Sequence, residues 1–328
     1  MSEQLRVGLI GCGRAAERYY LPVLRRQTAK ARLVAVADPQ PERALLAASF
    51  APECLTFDCA EMLLQKADVD AVIVTSTPET HVPITVKALQ AGLPVLVEKP
   101  LGISSEQVRG LEEWTPRSRG SVMVGFNQRH WEPVEQLENM LRQRNGEGVL
   151  SADLSMCVNA KGWSAIAGMG NPLDDLGPHL LDLVRFLLQR EILAIAANQT
   201  NDGATELQLQ LTGGATAKCR IAYGSVTSEV IDVRLEVERY SIRMGSDRIG
   251  PAAGFTRSLL DISDAGRRRM CGRRSSLHYS HERQLLRFLE HVRARDGVTP
   301  NVADGLAVVC AIEAAKRSIA SRGREVPV

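Results

Sequence analysis

Leu5-Arg6-Val7-Gly8-Leu9-Ile10-Gly11-Cys12-Gly13-Arg14-Ala15-Ala16 is the stretch whose reading decides the fold. A short apolar strand over 5–10 runs straight into Gly-x-Gly-x-x-Ala, and a helix-like stretch continues to about Gln27. The first glycine permits a tight turn, the second lets the backbone approach a pyrophosphate, and a small third residue lets the helix pack closely on the strand. The N-terminus of that helix then faces the anion. In this context Gly11, Cys12, Gly13, Arg14, Ala15 and Ala16 form a dinucleotide-binding turn.

The neighbouring segments strengthen this assignment. Arg32 to Ala37 reads as the second strand, and Asp38 ends it. The acid that holds the adenosine ribose hydroxyls is expected roughly 20 residues beyond the turn, where Asp38 stands. A carboxylate there repels a 2′-phosphate, so NAD is favoured over NADP. Pro39 offers nothing to a phosphate, whereas Arg43 lies near enough in sequence to weaken the preference. The plainer role for Asp38 is a turn residue before Pro39.

Ala71-Val72-Ile73-Val74 is continuously apolar, as a strand buried on both faces must be. Polar residues follow it, and Ser76, Thr77, Pro78 and His81 are placed to meet the nicotinamide ribose and phosphates. A helix is expected from about Glu79 to Ala91, stopped by Gly92. The next strand delivers Val95-Leu96-Val97-Glu98-Lys99-Pro100-Leu101. Ligands of an open parallel sheet sit beyond the carboxyl ends of its strands, so Glu98 and Lys99 are well placed for chemistry. Pro100 makes a cis peptide bond available there. A capping pattern at Ser104 opens another helix, and Ser121 to Val124 is the last parallel strand. Strand and helix alternate throughout, which predicts a doubly wound parallel sheet.

The bulk numbers set the bounds. The 328 residues suit two domains rather than one. A net charge of +2, from 40 basic and 38 acidic residues, gives no reason to expect nucleic acid or a membrane as partner. No apolar run approaches the ~20 residues that span a bilayer, and no signal peptide is read at the N-terminus. Seven cysteines without a Cys-x-x-Cys pair read as the reduced thiols of a cytoplasmic protein, with neither a disulfide frame nor a metal site.

Beyond about residue 146 the texture changes. Runs at 149–158, 193–199, 206–211, 215–223, 230–237 and 240–244 alternate wholly or partly, and Gly213-Gly214 reads as a hairpin turn. This predicts a mostly antiparallel open sheet with helices on one face and a polar-leaning second face. Between the first two strands lies Asp174-Asp175-Leu176-Gly177-Pro178-His179-Leu180-Leu181-Asp182. Asp175, His179 and Asp182 share one face of a helix. Proline inside a helix costs ~3 kcal/mol, so the regular helix is expected to begin near Pro178, with Asp175 on the entering turn. A carboxylate beside an imidazole fixes its tautomer and stabilises its charged form. Taken alone, the segment also suits a capping acid and a satisfied core histidine. His278 and His281 invite a metal reading that no third ligand supports. The arginine run from Gly266 to Arg274 reads as a solvated loop, or alternatively as a cationic wall for a charged substrate.

Together Gly11–Ala16, Thr77-Pro78-Glu79-Thr80-His81, Ala88-Leu89-Gln90-Ala91-Gly92, Glu98-Lys99-Pro100-Leu101, Gly125-Phe126-Asn127-Gln128-Arg129 and the Asp175–Asp182 segment resemble the glucose–fructose oxidoreductase/inositol dehydrogenase (Gfo/Idh/MocA) family. Glu79 stands where that family usually has asparagine. The resemblance implies an NAD(P)-binding Rossmann domain over 1–126 and a substrate-binding and oligomerisation domain over 127–328, with the last helix, 302–320, returning towards the first. It implies Lys99, Asp175 and His179 as the catalytic group, with Arg129 beside them at the substrate and with Glu98, Lys99 and Gln128 at the cofactor. Asp182 anchors the helix or the pocket rim. A homodimer or homotetramer through the second sheet is expected.

The expected reaction is hydride transfer between nicotinamide and a hydroxyl carbon of a sugar, inositol or related polyol, free or nucleotide-linked. Proton transfer needs a base near the working pH, which favours His179 over Lys99. Three readings compete: transient use of NAD in elimination or hydrolysis of a sugar, a non-catalytic dinucleotide sensor, and an imine or enone reductase.

Overall fold

The computed structural model describes residues 4–143, 149–159, 171–224, 230–237, 240–245, 248–251 and 276–328. Two compact units are found. The first comprises Met1–Asn127 and His281–Val309, and the second Gln128–Ser280 and Cys310–Val328.

The first unit is built on six strands: β1 (Leu5–Ile10), β2 (Ala31–Ala37), β3 (Leu55–Phe57), β4 (Ala71–Val74), β5 (Val95–Val97) and β6 (Val122–Val124). Their order is β3-β2-β1-β4-β5-β6, and every pairing is parallel. Parallel strands need crossovers, here supplied by α1 (Leu21–Arg26), α2 (Pro41–Ala48), α3 (Ala60–Lys66), α4 (Pro78–Gln90) and α5 (Ser105–Glu112). Alternate side chains of β1, β2, β4, β5 and β6 feed two separate cores. Val72, Val74, Val95 and Val97 lie in one, while Leu9, Ala71, Ile73 and Leu96 lie in the other. Each such Val, Ile or Leu contributes about 1.5–3 kcal/mol on full burial. This explains why β4 is apolar at every position.

One helix departs from regularity. A π turn over Ala16–Tyr20 precedes α1, closed by the Leu21 N–H donating to the Ala16 carbonyl. Pro22 sits in the first turn of α1. It has no N–H, and its ring would crowd the carbonyl four residues back. The wider turn accommodates both effects.

The described residues of the second unit hold eight strands: β7 (Val149–Asn159), β8 (Ile192–Gln199), β9 (Thr205–Leu211), β10 (Thr216–Gly224), β11 (Val230–Val237), β12 (Tyr240–Gly245), β13 (Arg248–Pro251) and β14 (Val326–Pro327). Their order is β13-β12-β11-β7-β10-β9-β8-β14. Among the described residues only β7 and β10 pair in parallel; every other pairing is antiparallel. Gly213 and Gly214 both take positive φ between β9 and β10, as the expected hairpin turn requires. Helices α6 (Glu132–Arg142) and α7 (Pro172–Leu188) share one core with the inner face of this sheet, joining Leu137, Leu180 and Val184 to Leu154, Leu207, Leu209 and Ile221. Two further helices are α8 (Ser276–Ala294) and α9 (Val302–Ala320).

Candidate active site

The order of the first sheet reverses between β1 and β4, so its crevice lies beyond their carboxyl ends. Gly11 ends β1 there at φ +89°, and a Cβ on it would stand 2.4 Å from the Ser76 nitrogen. Only glycine fits this turn. Its N–H donates to the Ala37 carbonyl at 2.8 Å, and its carbonyl accepts from the Thr75 hydroxyl. Gly13 differs: a Cβ there would meet nothing within 4 Å. Open space beside the second glycine is what the approach of a pyrophosphate requires. The helix begins at the same point, with the Glu17 N–H on the Gly13 carbonyl at 3.0 Å. Its first turn carries backbone N–H groups outside its own ladder.

Asp38 is buried at the end of β2. One carboxylate oxygen accepts from the Cys12 N–H at 2.8 Å, and the other from the Gln40 N–H at 2.9 Å. Each oxygen has two acceptor sites, so the anchored carboxylate keeps capacity for ribose hydroxyls. Cys12 is inert: burial, with Asp38 beside it, pushes its thiol up to about 12. Arg43 is exposed on α2, and Arg14 and Ala15 are partly exposed after the turn. These residues fit a dinucleotide carrying free ribose hydroxyls.

Along the same carboxyl edge, β4 leads to Ser76, Thr77 and Pro78, and β5 to Glu98 and Lys99. The Lys99–Pro100 bond is cis. His81, read from the sequence as a cofactor contact, has another use. Its Nδ1 meets the Pro100 carbonyl at 2.7 Å and its Nε2 the Ser76 carbonyl at 3.0 Å. It ties the two loops together. Burial lowers its pKa, against the pull of both carbonyls. Glu98 is likewise engaged. Its Oε1 accepts from the Tyr20 hydroxyl at 2.6 Å and its Oε2 from the Lys99 N–H at 3.1 Å. Burial raises the Glu98 carboxyl, while Tyr20 and Lys99 pull it down.

In the second unit α7 carries both Asp175 and His179. The expected start near Pro178 is corrected: the helix begins at Pro172 and runs through Pro178. Asn171 caps it, its side chain accepting from the Leu173 N–H at 2.9 Å, and Pro172 takes a position where proline is well tolerated. The apolar face of α7, with Leu173, Leu180, Leu181, Leu183, Val184 and Leu187 in the core, outweighs the loss at Pro178. Asp175, His179 and Asp182 therefore stand on consecutive turns of one continuous helix. Asp175 is buried and accepts from the Tyr223 hydroxyl on β10 at 3.3 Å. Burial, with Asp175 adjacent, raises the Tyr223 phenol.

Gln128 is buried, and its Oε1 has no hydrogen-bond partner among the described residues. Arg129, read as a substrate contact, has its fork occupied. Its Nε and Nη2 donate to the two oxygens of Asp182 at 2.8 and 2.6 Å, and its guanidinium lies 4.9 Å from the Phe186 ring centre. Removing one partner of such a buried pair costs about 3–5 kcal/mol. It fixes α7 to the segment after Asn127. Among the described residues no three metal-ligating side chains cluster. His281 stacks on Tyr19 with ring centres 3.9 Å apart. The arginine run at 266–274 and the side chain of His278 lie outside the described residues.

Sequence reading passed over Tyr20, Gln284 and Tyr223. They belong to no short motif. The only signal was a pair of tyrosines one turn beyond a glycine-rich loop.

The fold and the crevice define a dinucleotide-binding frame. Residues 5–126 match the family model GFO_IDH_MocA, described as "Oxidoreductase family, NAD-binding Rossmann fold". Those residues are similar to the Gfo/Idh/MocA oxidoreductases, and the relatives carry that likeness over nearly the whole chain. "Inositol 2-dehydrogenase" of Rhizobium meliloti is 28% identical over 97% of this chain and 98% of its own. "Inositol 2-dehydrogenase 4" of Saccharopolyspora erythraea is 32% identical over 62% of this chain, a match that spans 60% of that relative. The crystal structure of scyllo-inositol dehydrogenase from Lactobacillus casei, with bound NAD(H) and scyllo-inositol, superposes at a TM-score of 0.83 over 99% of both chains. At 16% identity that likeness speaks for the fold.

Proposed function

We propose that this protein is an NAD-dependent oxidoreductase acting on a hydroxyl carbon of a polyol, of the inositol or sugar class. The observation that carries the reading is the carboxyl edge of the first sheet. A glycine turn with open space, an anchored acid at Asp38 and a lysine at the end of β5 stand along one edge. The curated relatives are named inositol 2-dehydrogenases, which favours a cyclic polyol.

Bound NAD accepts or returns the hydride. Gly11 to Ala16 give the pyrophosphate a backbone surface, and the Asp38 oxygens accept from the ribose hydroxyls. The same charge repels a 2′-phosphate, so NAD is preferred over NADP. Ser76, Thr77, Pro78 and Gln128 complete the cofactor contacts, with Glu98 and His81 holding the loops. Lys99 donates from Nζ to the reacting oxygen and stabilises the negative charge that develops there. His179 takes the alcohol proton at a ring nitrogen. Asp175, itself held by Tyr223, orients that ring and stabilises its charged form. Arg129 positions α7 through Asp182.

Two further proposals accompany this one. The polar outer face of the second sheet pairs subunits into a dimer or tetramer, because an open sheet face is either solvated or covered. The site of action is the cytoplasm, in keeping with cysteines that read as free thiols. No helix among the described residues is long and apolar enough to cross a membrane.

Fluorescence titration with NADH and NADPH tests the reading, followed by a polyol screen with NAD. NADH should bind more tightly, and Asp38→Ala should weaken NADH by about tenfold or more, the loss of one or two charge-assisted hydrogen bonds. Preference for NADPH would remove Asp38 from its role. No binding of either would sink the dehydrogenase reading.

A further inference from the structure

Tyr20 closes the π turn at Ala16–Tyr20 and is fully buried. Its hydroxyl has a single proton, and that proton goes to Glu98 Oε1 at 2.6 Å. The same oxygen must therefore accept from its other neighbour, Gln284 Nε2, at 3.0 Å. This fixes which way the Gln284 amide faces. Gln284 is also fully buried, on α8. The second Glu98 oxygen accepts the Lys99 N–H at 3.1 Å. Three elements of the first unit thus converge on one peptide group, that of Lys99.

Core packing does not call for this chain of contacts. A phenylalanine and a methionine would fill the same space, and burying polar side chains is favourable only when they are hydrogen-bonded. Gly125 leaves room for the arrangement, since a Cβ there would stand 3.1 Å from Glu98 Oε2. The titratable groups around the pair are Lys99 at the end of β5, Tyr19 on the π turn and His281 on α8, whose ring meets Tyr20 edge-on.

We propose that Tyr20, held by Gln284, is a positioning residue for Lys99: it fixes the Glu98 carboxylate that takes the Lys99 N–H and so aims the lysine side chain. The inference rests on the proposal that Lys99 touches the substrate. Displacing a catalytic group by about 1 Å can cost about 10²-fold in rate.

The test compares wild type, Tyr20→Phe and Gln284→Met in the full chain. Steady-state kinetics with NAD and a polyol are measured beside the infrared carbonyl band of protonated Glu98, assigned by its loss in Glu98→Gln. Tyr20→Phe should lower kcat about 10- to 100-fold while KM for NAD stays within about threefold. The Glu98 band should persist to higher pH than in wild type, because the hydroxyl that stabilises the anion is gone. Gln284→Met should shift both in the same direction by less, and it remains informative if Tyr20→Phe does not fold. An unchanged kcat, or a lower kcat with an unmoved Glu98 band, overturns the proposal in favour of a packing role. If wild type oxidises no polyol while the band still moves, the dehydrogenase reading falls and the Tyr20–Glu98 clamp stands.

Discussion

In the six-stranded sheet both faces are covered, one core on each side, and only strand ends are left to meet a ligand. In the eight-stranded sheet β9 and β10 bury one face. Leu207, Leu209 and Leu211 point into the core, whereas Glu206, Gln208 and Gln210 alternate with them and are exposed. Arg220 pairs with Asp202 and Glu206 on that outer side. A parallel sheet therefore leaves one edge open to a ligand, where the loops carrying Gly11, Asp38, Ser76 and Lys99 lie. The second sheet uses its covered face to support α7, with Asp175 and His179, and leaves polar side chains of β9 and β10 on the other. The difference follows from crossover helices, which parallel strands require and hairpins do not.

The largest expected effect tests the strand edge. Lys99→Met should lower kcat by about 10³-fold or more while the NADH dissociation constant, read by fluorescence, stays within about threefold. Full activity in that variant would remove the edge from the chemistry. The next test contrasts the two faces of the second sheet by urea melts. Leu209→Ala should cost about 2–5 kcal/mol, and Gln208→Ala should change stability by no more than about 0.5 kcal/mol. Equal costs would mean that the outer face is covered in solution, and sedimentation velocity would then show the oligomer.

A smaller effect sharpens the account of α7. A Cβ on Gly177 would stand 2.7 Å from Ile312 Cδ1 and 3.0 Å from Leu173 Cδ1. Gly177→Ala should cost about 1–3 kcal/mol from overpacking, offset by the ~1 kcal/mol that alanine gains in a helix. Thermal melts should therefore show a modest net loss.

The smallest lies at the rim of the first sheet. The hydrogen bonds from Arg6 hold the Asp70 carboxyl below its usual range. The folded chain thus binds this proton less tightly than the unfolded chain. The stabilisation is fully present above the ordinary carboxylate range and is lost as pH falls through the depressed value. The side chains are 40% and 31% exposed, so screening keeps the term below about 1 kcal/mol. Asp70→Asn should flatten the acid limb of a stability-against-pH curve by that much.

The six strand runs read in the second half recur as β7 to β12, because alternation is local and survives without tertiary information. The segments passed over are those with little apolar signal. Strand β3 is three residues at a sheet edge, and β14 is two residues whose partner, β8, lies more than a hundred positions away in sequence. For α7 the cost of Pro178 was legible, whereas the burial that outweighs it was not.

The sequence by itself determined the alternation that makes one sheet parallel and the other mostly antiparallel, the glycine turn and the acid after β2. Each rests on local sterics, on side-chain period or on a spacing along the chain. The tertiary structure decided who holds whom. His81 ties Ser76 to Pro100, Asp182 occupies Arg129, Tyr223 reaches Asp175, and Tyr20 with Gln284 grips Glu98. Most of these bonds join residues dozens to hundreds of positions apart. No periodicity records them, since a buried polar group needs a partner in space and not a particular distance along the chain.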